Sequence, residues 1–462
     1  MGHLTRQLAV ALAGRPQARS TLFSLSLGLP AVIGEVPGEY CPGADREWVR
    51  SPHWHSYLTE RVVALAQETH ADVLLFDGVA PYPGLLKARP RLRNVQFTWM
   101  RRGLWRPDMN TDQLNKAAVF DSIIEPGDLA GAADRGATAG RSDAIKVAPV
   151  SMLEVVEPLS RREAAAELGI DPDRATVLVT LGSGRLGDIT APGTVVLRTL
   201  LEDRGWQICL TKASIALHGV PVVDPERIIQ LEGVYPLVKY LNAFDAVVSA
   251  TGYNAVHEFV PAGLPTLFVP NPVTFTDDQE ARAMWLRDNG LALSVRAEES
   301  EQLAALTRSL SQQSLREELS ANCRSLPDEV RLGGARQTAD LLIGFERDFV
   351  PAGTWIGEAT RLANEAMRRG AKQLLGPQVT NRVRRALGRP TYDSADQRTL
   401  VRLVDSAPPS IDDPPPLYVG EDVTAQQVRE GTLVEHLLAG ASGRYRARRL
   451  KIIERFYNVQ AR

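Results

Sequence analysis

The sequence predicts an α/β fold made of two similar domains, followed by a mainly helical extension. At 462 residues the chain is long enough for about three units of ordinary domain size. Short β-branched and aromatic runs alternate with helical stretches, which is typical of parallel strands joined by crossover helices. The alternation lapses near 126–142 and then starts again. We therefore place the two domains at 1–150 and 151–350, and the extension at 351–462.

The first domain is predicted from helical stretches at 4–14 and 57–69 and from strand-like runs between and after them. A parallel sheet with helices on its faces accounts for this order. The strand-like runs are 21–26, 73–77, 95–99 and 119–124.

The second domain begins with a helix at 160–168, and the turn Asp171-Pro172-Asp173 leads from it to a strand at 176–181. The elements that follow repeat the same alternation and predict a second Rossmann-like unit. They are helix 194–204, strand 206–211, strand 246–249, helix 254–262, strand 265–269 and helix 277–289.

Composition excludes several classes of protein. Hydrophobic residues make up 44% and charged residues 23%, which is the balance of a soluble globular protein rather than a disordered one. No apolar run approaches the roughly 20 residues of a membrane span, and no secretory signal is visible at the N-terminus. The three cysteines, Cys41, Cys209 and Cys323, are far apart and odd in number. They predict free thiols in a cytoplasmic protein.

The formal net charge of −2 combines an acidic body with a basic tail, because residues 354–462 carry a net +6 and the remainder −8. Within the tail, segment 361–389 holds eight Lys or Arg and one acid, and the prolines near 407–416 predict an extended linker. A basic amphipathic helix in that segment would make peripheral contact with an anionic membrane. A helix that is solvated or packs on the body is the alternative. Nucleic acid is not an expected partner, since aromatic residues are nearly absent there.

Most of the candidate functional residues lie in the stretch 249–290. A buried strand ends in the polar turn Thr251-Gly252-Tyr253-Asn254, which opens into a helix and presents backbone N–H groups to an anion. Glu258 lies one helical turn beyond Asn254, so both side chains can face one crevice. A carboxylate there is suited to accept two hydrogen bonds from ribose hydroxyls. Asp278 and Gln279, at the start of a later helix, could read the hydroxyl pattern of a sugar.

These pieces resemble the donor-binding half of the GT-B nucleotide-sugar glycosyltransferases. The shared pattern is a Gly-rich turn, a helix carrying Glu, Gly263-Leu264-Pro265, a strand ending in Pro270, and an Asp-Gln pair. By motif, the nearest relatives are the lipid-intermediate N-acetylglucosaminyltransferases of peptidoglycan synthesis and the wider UDP-glycosyltransferases. The resemblance implies two Rossmann-like domains facing across a crevice. It also implies inverting hexosyl transfer from a UDP-sugar to a glycan or polyprenyl-linked acceptor in cell-envelope or surface-glycan synthesis.

The resemblance also implies roles for individual residues. The pattern departs at Arg282, where the peptidoglycan enzymes usually have Asn, so it does not extend to N-acetylglucosamine as the donor sugar. The implied roles are Glu258 on the ribose, Thr251, Gly252 and Asn254 along the diphosphate, Asp278 and Gln279 on the donor sugar, Gly182, Ser183 and Gly184 in a loop near the phosphates, and Val234 against uracil.

The catalytic base is expected in the first domain, where Gly2-His3 resembles the family's Gly-His loop. His3 would take the proton of the acceptor hydroxyl, with Asp77 as its partner or as an alternative base. A strand normally precedes that loop, and the chain begins at Met1 without one. We therefore expect either a first domain that lacks its first strand or a true start upstream of Met1.

No metal or other cofactor is expected. The triplet Asp171-Pro172-Asp173 matches the Asp-x-Asp metal signature of the other major glycosyltransferase fold, but Asp and Pro are ordinary residues of a helix-to-strand turn. Helix N-termini and loop amides neutralise the leaving group in the GT-B family. Two alternative functions stay open: a UDP-sugar 2-epimerase, and a non-catalytic glycosyltransferase-like subunit that scaffolds a membrane assembly.

Overall fold

The computed structural model describes most of the first 348 residues. The predicted extension over 351–462, with its basic segment 361–389 and the linker near 407–416, lies outside the described residues except at three positions. The described residues are 2–26, 28–32, 34–41, 54–182, 189–212 and 220–348, together with Met367, Val379 and Arg382.

The N-terminal half contains six strands and three α-helices among its described residues. They are α1 (Gly2–Ala13), β1 (Leu22–Ser24), β2 (Gly38–Tyr40), α2 (Trp54–Glu68), β3 (Val73–Asp77), α3 (Pro83–Ala88), β4 (Gln96–Met100), β5 (Ser122–Pro126) and β6 (Ile145–Val147). β1 and β2 pair in a small sheet, and the other strands form a separate sheet in the order β3-β4-β5-β6. Every pairing between these strands is parallel, as the sequence predicts.

The C-terminal half holds a six-stranded parallel sheet. Its elements are α4 (Arg161–Leu168), β7 (Thr176–Thr180), α5 (Thr190–Glu202), β8 (Gln207–Lys212), β9 (Ile228–Glu232), β10 (Ala246–Ala250), α6 (Tyr253–Phe259), β11 (Thr266–Val269), α7 (Gln279–Asp288), β12 (Leu293–Ser294), α8 (Ser300–Ser309), α9 (Gln313–Arg324), α10 (Asp328–Arg331) and α11 (Gly334–Asp348). The strand order is β12-β11-β10-β7-β8-β9.

Both faces of the six-stranded sheet are covered, and this explains the apolar runs of its central strands. In β7, Leu178 packs into one buried cluster, while Val177 and Val179 on the opposite face pack into another. Successive side chains of a strand point to opposite faces, so a strand buried on both faces is apolar throughout.

Local signals fix the ends of α4. The Ser160 side chain accepts a hydrogen bond from the Glu163 backbone N–H, and Glu163 reaches back to the Ser160 N–H in a capping box. Gly169 ends the helix with φ +68°, in the left-handed region that glycine adopts without strain.

The last described helix returns to the first one. The Arg336 Nη1 donates to the Ala13 carbonyl at 2.5 Å. The carboxylate of Glu154, between the two sheets in the chain, accepts from the backbone N–H of Ala335 and of Arg336 at the start of α11. α11 therefore joins the end of the second half to the first, and the domain limits at 150 and 350 stay predictions.

Candidate functional site

Three neighbouring strands of the second sheet deliver most of the predicted donor-site residues to one edge. β11, β10 and β7 are adjacent. Gly182, Thr251 and the segment 271–278 follow the carboxyl ends of these strands. Because the carboxyl ends of parallel strands meet at the same edge, the fold brings these loops together at a crevice of the kind that binds nucleotides.

Glu258 is a buried carboxyl without a polar partner in the described part of the chain. It lies on α6 and is 8% exposed. Burial raises its pKa to about 8. A buried carboxyl normally has hydrogen-bond donors around it, and here none is found among the described residues. Glu258 is therefore ready to accept hydrogen bonds from a ligand.

The predicted base-contacting loop lies beside Glu258. Gly233 turns the chain with φ +67°, and Val234 after it is half-buried. Burial and, to a smaller extent, the nearby charge of Glu258 raise the pKa of Tyr235 to about 12. The Tyr235 hydroxyl also donates to Thr5 of α1 at 3.3 Å, which ties this loop to the N-terminal half.

The residues predicted to lie along the diphosphate differ in whether their polar groups have hydrogen-bond partners within the protein. Thr251 is fully buried, and its Oγ1 has no partner among the described residues. Gly252 and Gly182 both have open space where a Cβ would stand, and Gly182 adopts φ +91°. Ser183 and Gly184 lie outside the described residues.

Asn254 is bonded to the other half of the molecule. Its Nδ2 donates to the Gly2 carbonyl at 3.2 Å, and its Oδ1 accepts from Arg6 Nη1 at 3.2 Å. The side-chain amide therefore ties the turn after β10 to the first turn of α1.

Asp278 and Gln279 have local partners at the start of α7. Asp278 is the N-cap, and its carboxylate accepts from the Ala281 N–H at 3.0 Å. The Gln279 Oε1 accepts from the Asn271 N–H at 3.1 Å. The amide oxygen of Gln279 thus holds the loop, and its side-chain amide also donates toward the Asp277 carboxylate, whose pKa this contact lowers.

The two predicted catalytic residues are in contact. His3 Nδ1 lies 2.8 Å from Asp77 Oδ1, with 53% of the His3 side chain and 2% of the Asp77 side chain exposed. Desolvation lowers the pKa of His3 against the raising effect of Asp77, so a neutral ring is favoured. Burial alone would raise the pKa of Asp77, but Arg6 and His3 outweigh it and hold that pKa well below its usual range.

Arg6 is a residue of this site that the sequence patterns did not indicate. Its Nε and Nη2 donate to the two Asp77 oxygens at 3.1 and 2.9 Å, a forked pair. The same Nη2 lies 2.8 Å from His3 Nδ1. Arg6 and His3 therefore share one carboxylate, and when the Nδ1–H of His3 donates to Asp77, Nε2 is the ring nitrogen that could act as a base.

A second set of missed residues joins the two halves around Arg282, which is fully buried. Its Nε donates to Asp128 Oδ2 at 3.0 Å, its Nη2 to Asp277 Oδ1 at 2.8 Å and its Nη1 to the Thr251 carbonyl at 3.0 Å. Asp277 also accepts from Arg102 Nη1 at 3.3 Å. Burial would raise the pKa of Asp128 and of Asp277, but the Arg282 charge lowers both.

Backbone hydrogen bonds reinforce this junction. Trp105 and Asp277 form an antiparallel bridge. The Asp278 N–H donates to the Leu104 carbonyl at 3.0 Å, and the Arg106 N–H donates to the Thr276 carbonyl at 2.7 Å. The loop after β4 is therefore clamped onto the loop predicted to meet the donor sugar.

His257 serves the structure. Its Nε2 accepts from the Leu129 N–H at 3.0 Å, so the proton lies on Nδ1, which donates to the Tyr253 carbonyl at 2.7 Å. Burial lowers its pKa to about 4, and the ring is neutral at pH 7. The adjacent Tyr253 hydroxyl donates to the Gly127 carbonyl at 2.8 Å.

A cavity of about 1190 Å³ opens at the other end of α1. Leu8 and Leu12 line it from α1, Val155 from the segment between the two sheets, and Tyr240 and Leu332 from the second half. None of the predicted site residues lines it, but Tyr235 of the predicted base-contacting loop does.

Metal and membrane features were also sought in the described part of the chain. Among those residues, no group of three or more His, Cys, Asp or Glu is arranged to hold a metal ion. Within the same ranges, no helix has both the length and the apolar character to cross a membrane.

Known proteins share this fold. The structure of the kitacinnamycin glycotransferase aligns with a TM-score of 0.50 at 16% identity, over 75% of this chain and 96% of that one. A Listeria monocytogenes protein assigned as a UDP-N-acetylglucosamine 2-epimerase aligns with a TM-score of 0.51 at 13% identity, over 75% and 93%. At such identities the likeness establishes the fold alone. The chain has the GT-B arrangement of two Rossmann-like domains, which confirms the predicted fold.

Sequence comparisons indicate which GT-B proteins this chain resembles. Residues 227–329 match the glycosyltransferase family 28 C-terminal domain. A Nocardioides UDP-N-acetylglucosamine–N-acetylmuramyl-(pentapeptide) pyrophosphoryl-undecaprenol N-acetylglucosamine transferase is 33% identical over 147 residues, which is 29% of this chain and 38% of that relative. The match thus spans well under half of the relative's length. The predicted resemblance to GT-B nucleotide-sugar glycosyltransferases is confirmed.

Proposed function

We propose that the protein is an inverting glycosyltransferase that moves a sugar from a UDP-linked donor to an acceptor hydroxyl in cell-envelope or surface-glycan synthesis. The family 28 domain match over 227–329 supports this proposal. So does the named activity of the Nocardioides relative. Neither the epimerase nor the scaffold alternative is favoured by these matches.

The observation that carries the proposal is the buried, unpartnered carboxyl of Glu258. With a pKa near 8 the ligand-free carboxyl is mostly protonated at pH 7, and two ribose hydroxyls that donate to its two oxygens would lower this pKa and favour the carboxylate. Val234 in the adjacent loop would lie against the uracil. The nucleoside would thus be held by one charged and one apolar contact in the second half.

The diphosphate and the sugar would follow along the same edge of the sheet. The open backbone at Gly182 and Gly252 leaves room for phosphate oxygens to approach main-chain N–H groups. The unpartnered Thr251 hydroxyl could donate there. Asp278 and Gln279 at the start of α7 would contact the hydroxyls of the donor sugar.

Transfer needs a base on the opposite side of the crevice. The acceptor oxygen attacks the anomeric carbon, the bond to the diphosphate breaks with its electron pair kept by UDP, and the acceptor proton goes to the base. His3, paired with Asp77, would take that proton on Nε2. Its half-exposed ring on α1 faces solvent, where an acceptor can reach it.

The partners and the location of the protein belong to the same proposal. The acceptor would be a glycan or a polyprenyl-linked sugar, by analogy with the lipid-linked substrate in the relative's name. The enzyme would work in the cytoplasm, with the basic segment 361–389 in peripheral contact with an anionic membrane. No metal is required by the residues assigned.

One pair of variants tests the proposal. Glu258→Ala is expected to weaken UDP binding by roughly a hundredfold, because two hydrogen bonds to a charged group are lost. His3→Gln is expected to retain UDP affinity and to lose transfer. Calorimetry with UDP and release of UDP from UDP-sugars measure the two effects. Unchanged UDP affinity in Glu258→Ala would refute the site.

A further inference from the structure

Three guanidinium groups meet where the two halves join, and two of them have their donors engaged. Arg6 donates to both oxygens of Asp77 and to Asn254. Arg282 donates to two carboxylates and to a backbone carbonyl. Arg102, two residues beyond the end of β4, is the third member of this group.

Arg102 makes fewer hydrogen bonds in the described part of the chain than its guanidinium has donors. Its one hydrogen bond there joins Nη1 to Asp277 Oδ1 at a long 3.3 Å, and that oxygen is already shared with Arg282. Its Nε is buried and has no partner among the described residues. A guanidinium has five N–H donors, and only 12% of this side chain is exposed to water that could satisfy them.

The position of Arg102 relates it to the turn after β10. Its guanidinium carbon stands 5.4 Å from the centre of the Tyr253 ring, and that of Arg6 stands 5.1 Å from the same ring. Tyr253 directly follows Thr251-Gly252. Thr251, two residues before Tyr253, also has a fully buried hydroxyl without a partner among the described residues.

We propose that Arg102 binds the diphosphate of the nucleotide-sugar donor from the N-terminal half, opposite the 251–254 turn. This assignment rests on the proposed function. An arginine fork matches two phosphate oxygens, and it would hold the charge that UDP keeps when the glycosidic bond breaks. The contact would also join the two halves when the donor is bound.

The electrostatics of Arg102 agree with an anionic ligand. Burial lowers its pKa, and the charges of Arg6 and Arg282 lower it further, while Asp277 partly compensates. Because the surroundings disfavour the charged guanidinium when no ligand is present, a bound anion would stabilise that charge and raise the pKa of Arg102 again.

The test compares UDP with uridine on the full-length protein by calorimetry. Arg102→Gln is expected to weaken UDP binding by roughly tenfold to a hundredfold, the loss of charge-assisted hydrogen bonds, and to leave uridine affinity unchanged. Arg106→Gln is the matched control on the same loop, since its Nη2 donates to the Pro272 carbonyl and its guanidinium has no carboxylate partner among the described residues. This control should keep the UDP-to-uridine preference of the parent protein.

A structural role for Arg102 predicts a different result. Asp277→Asn breaks the Arg102 ion pair but keeps the guanidinium, so the preference for UDP over uridine should be retained or increased. If Arg102→Gln lowers UDP and uridine affinity equally, Arg102 only joins the two halves and the assignment is overturned. A parent protein that binds neither UDP nor uridine overturns the proposed function together with it. A protein that binds UDP, with an unchanged preference in Arg102→Gln, overturns Arg102 alone.

Discussion

The buried carboxyl of Glu258 should make the folded protein less stable as the pH rises, and Glu258→Gln should remove that effect. Glutamine keeps the shape of the side chain but cannot ionise. The change therefore separates the cost of burying a charge from the packing of α6. No ligand is needed for this prediction, so it tests the site before any substrate is known.

The magnitude follows from the pKa of Glu258 in the folded protein, about 8, against its ordinary value of 4.5. Between these values the folded state holds a proton that the unfolded state has lost, so stability falls as the pH rises through this window. At about 1.4 kcal/mol per pH unit the full effect approaches roughly 5 kcal/mol. Water reaching the carboxyl from the crevice reduces it, and between pH 5 and pH 8 we expect about 1–3 kcal/mol.

Urea unfolding at pH 5 and pH 8 measures this difference. The parent protein should lose more stability between the two pH values than Glu258→Gln does, by the amount above. Glu226→Gln is the control, because Glu226 is exposed and its replacement should leave the pH dependence of the parent unchanged. Identical pH dependence in the parent and Glu258→Gln would refute the reasoning that Glu258 is a buried carboxyl without a partner.

Two further substitutions test the junction between the halves by urea unfolding. Arg282→Met leaves the buried Asp128 without its cation and Asp277 with Arg102 alone, and it should cost about 3–5 kcal/mol. Arg287→Met on the same helix changes an exposed pair and should cost little. Equal losses in the two variants would contradict a buried ionic junction. Gly136→Ala places a Cβ against the carbonyl of Trp105 and should cost about 1–3 kcal/mol. Gly131→Ala meets open space and should be near neutral, and a neutral Gly136→Ala would contradict the packing of this loop.

Periodicity and strand composition were enough to predict most of the parallel sheets. The run 73–77 matches β3 at both ends, because four successive apolar residues mark the strand and the polar Asp77 ends it. The predicted strand 119–124 begins later, at Ser122, since Asp121 accepts from the Phe97 N–H and from Arg89 just before it. β9 was missed because its residues at the sheet edge alternate in burial and contain no continuous apolar run.

The candidate site was predictable only where a motif carries it. Glu258 is indicated by its place one turn into a helix that follows a strand and a Gly turn. Arg6, Asp128 and Arg102 could not be found in this way, because their partners are distant in sequence. Arg6 pairs with Asp77, while Asp128 and Arg102 pair with residues of the other half. For Arg282, the sequence showed only that this position departs from the family pattern. Its ion pairs with Asp128 and Asp277 show that this departure supports the sugar-side loop without exposing the charge to the crevice.

Hydrogen-bond satisfaction divides the predicted donor-site residues into two groups. Asn254 and Asp278 have partners within the protein, and their polar groups already fix the turn after β10 and the start of α7. The Thr251 hydroxyl is fully buried without a partner among the described residues, and the largely buried Glu258 side chain has no hydrogen-bond partner among them either. Buried polar groups without partners are rare in folded proteins because each costs about 1–3 kcal/mol. A ligand that satisfies both Glu258 and Thr251 must carry hydroxyl donors at one end and anionic acceptors at the other, and a nucleoside diphosphate is such a molecule.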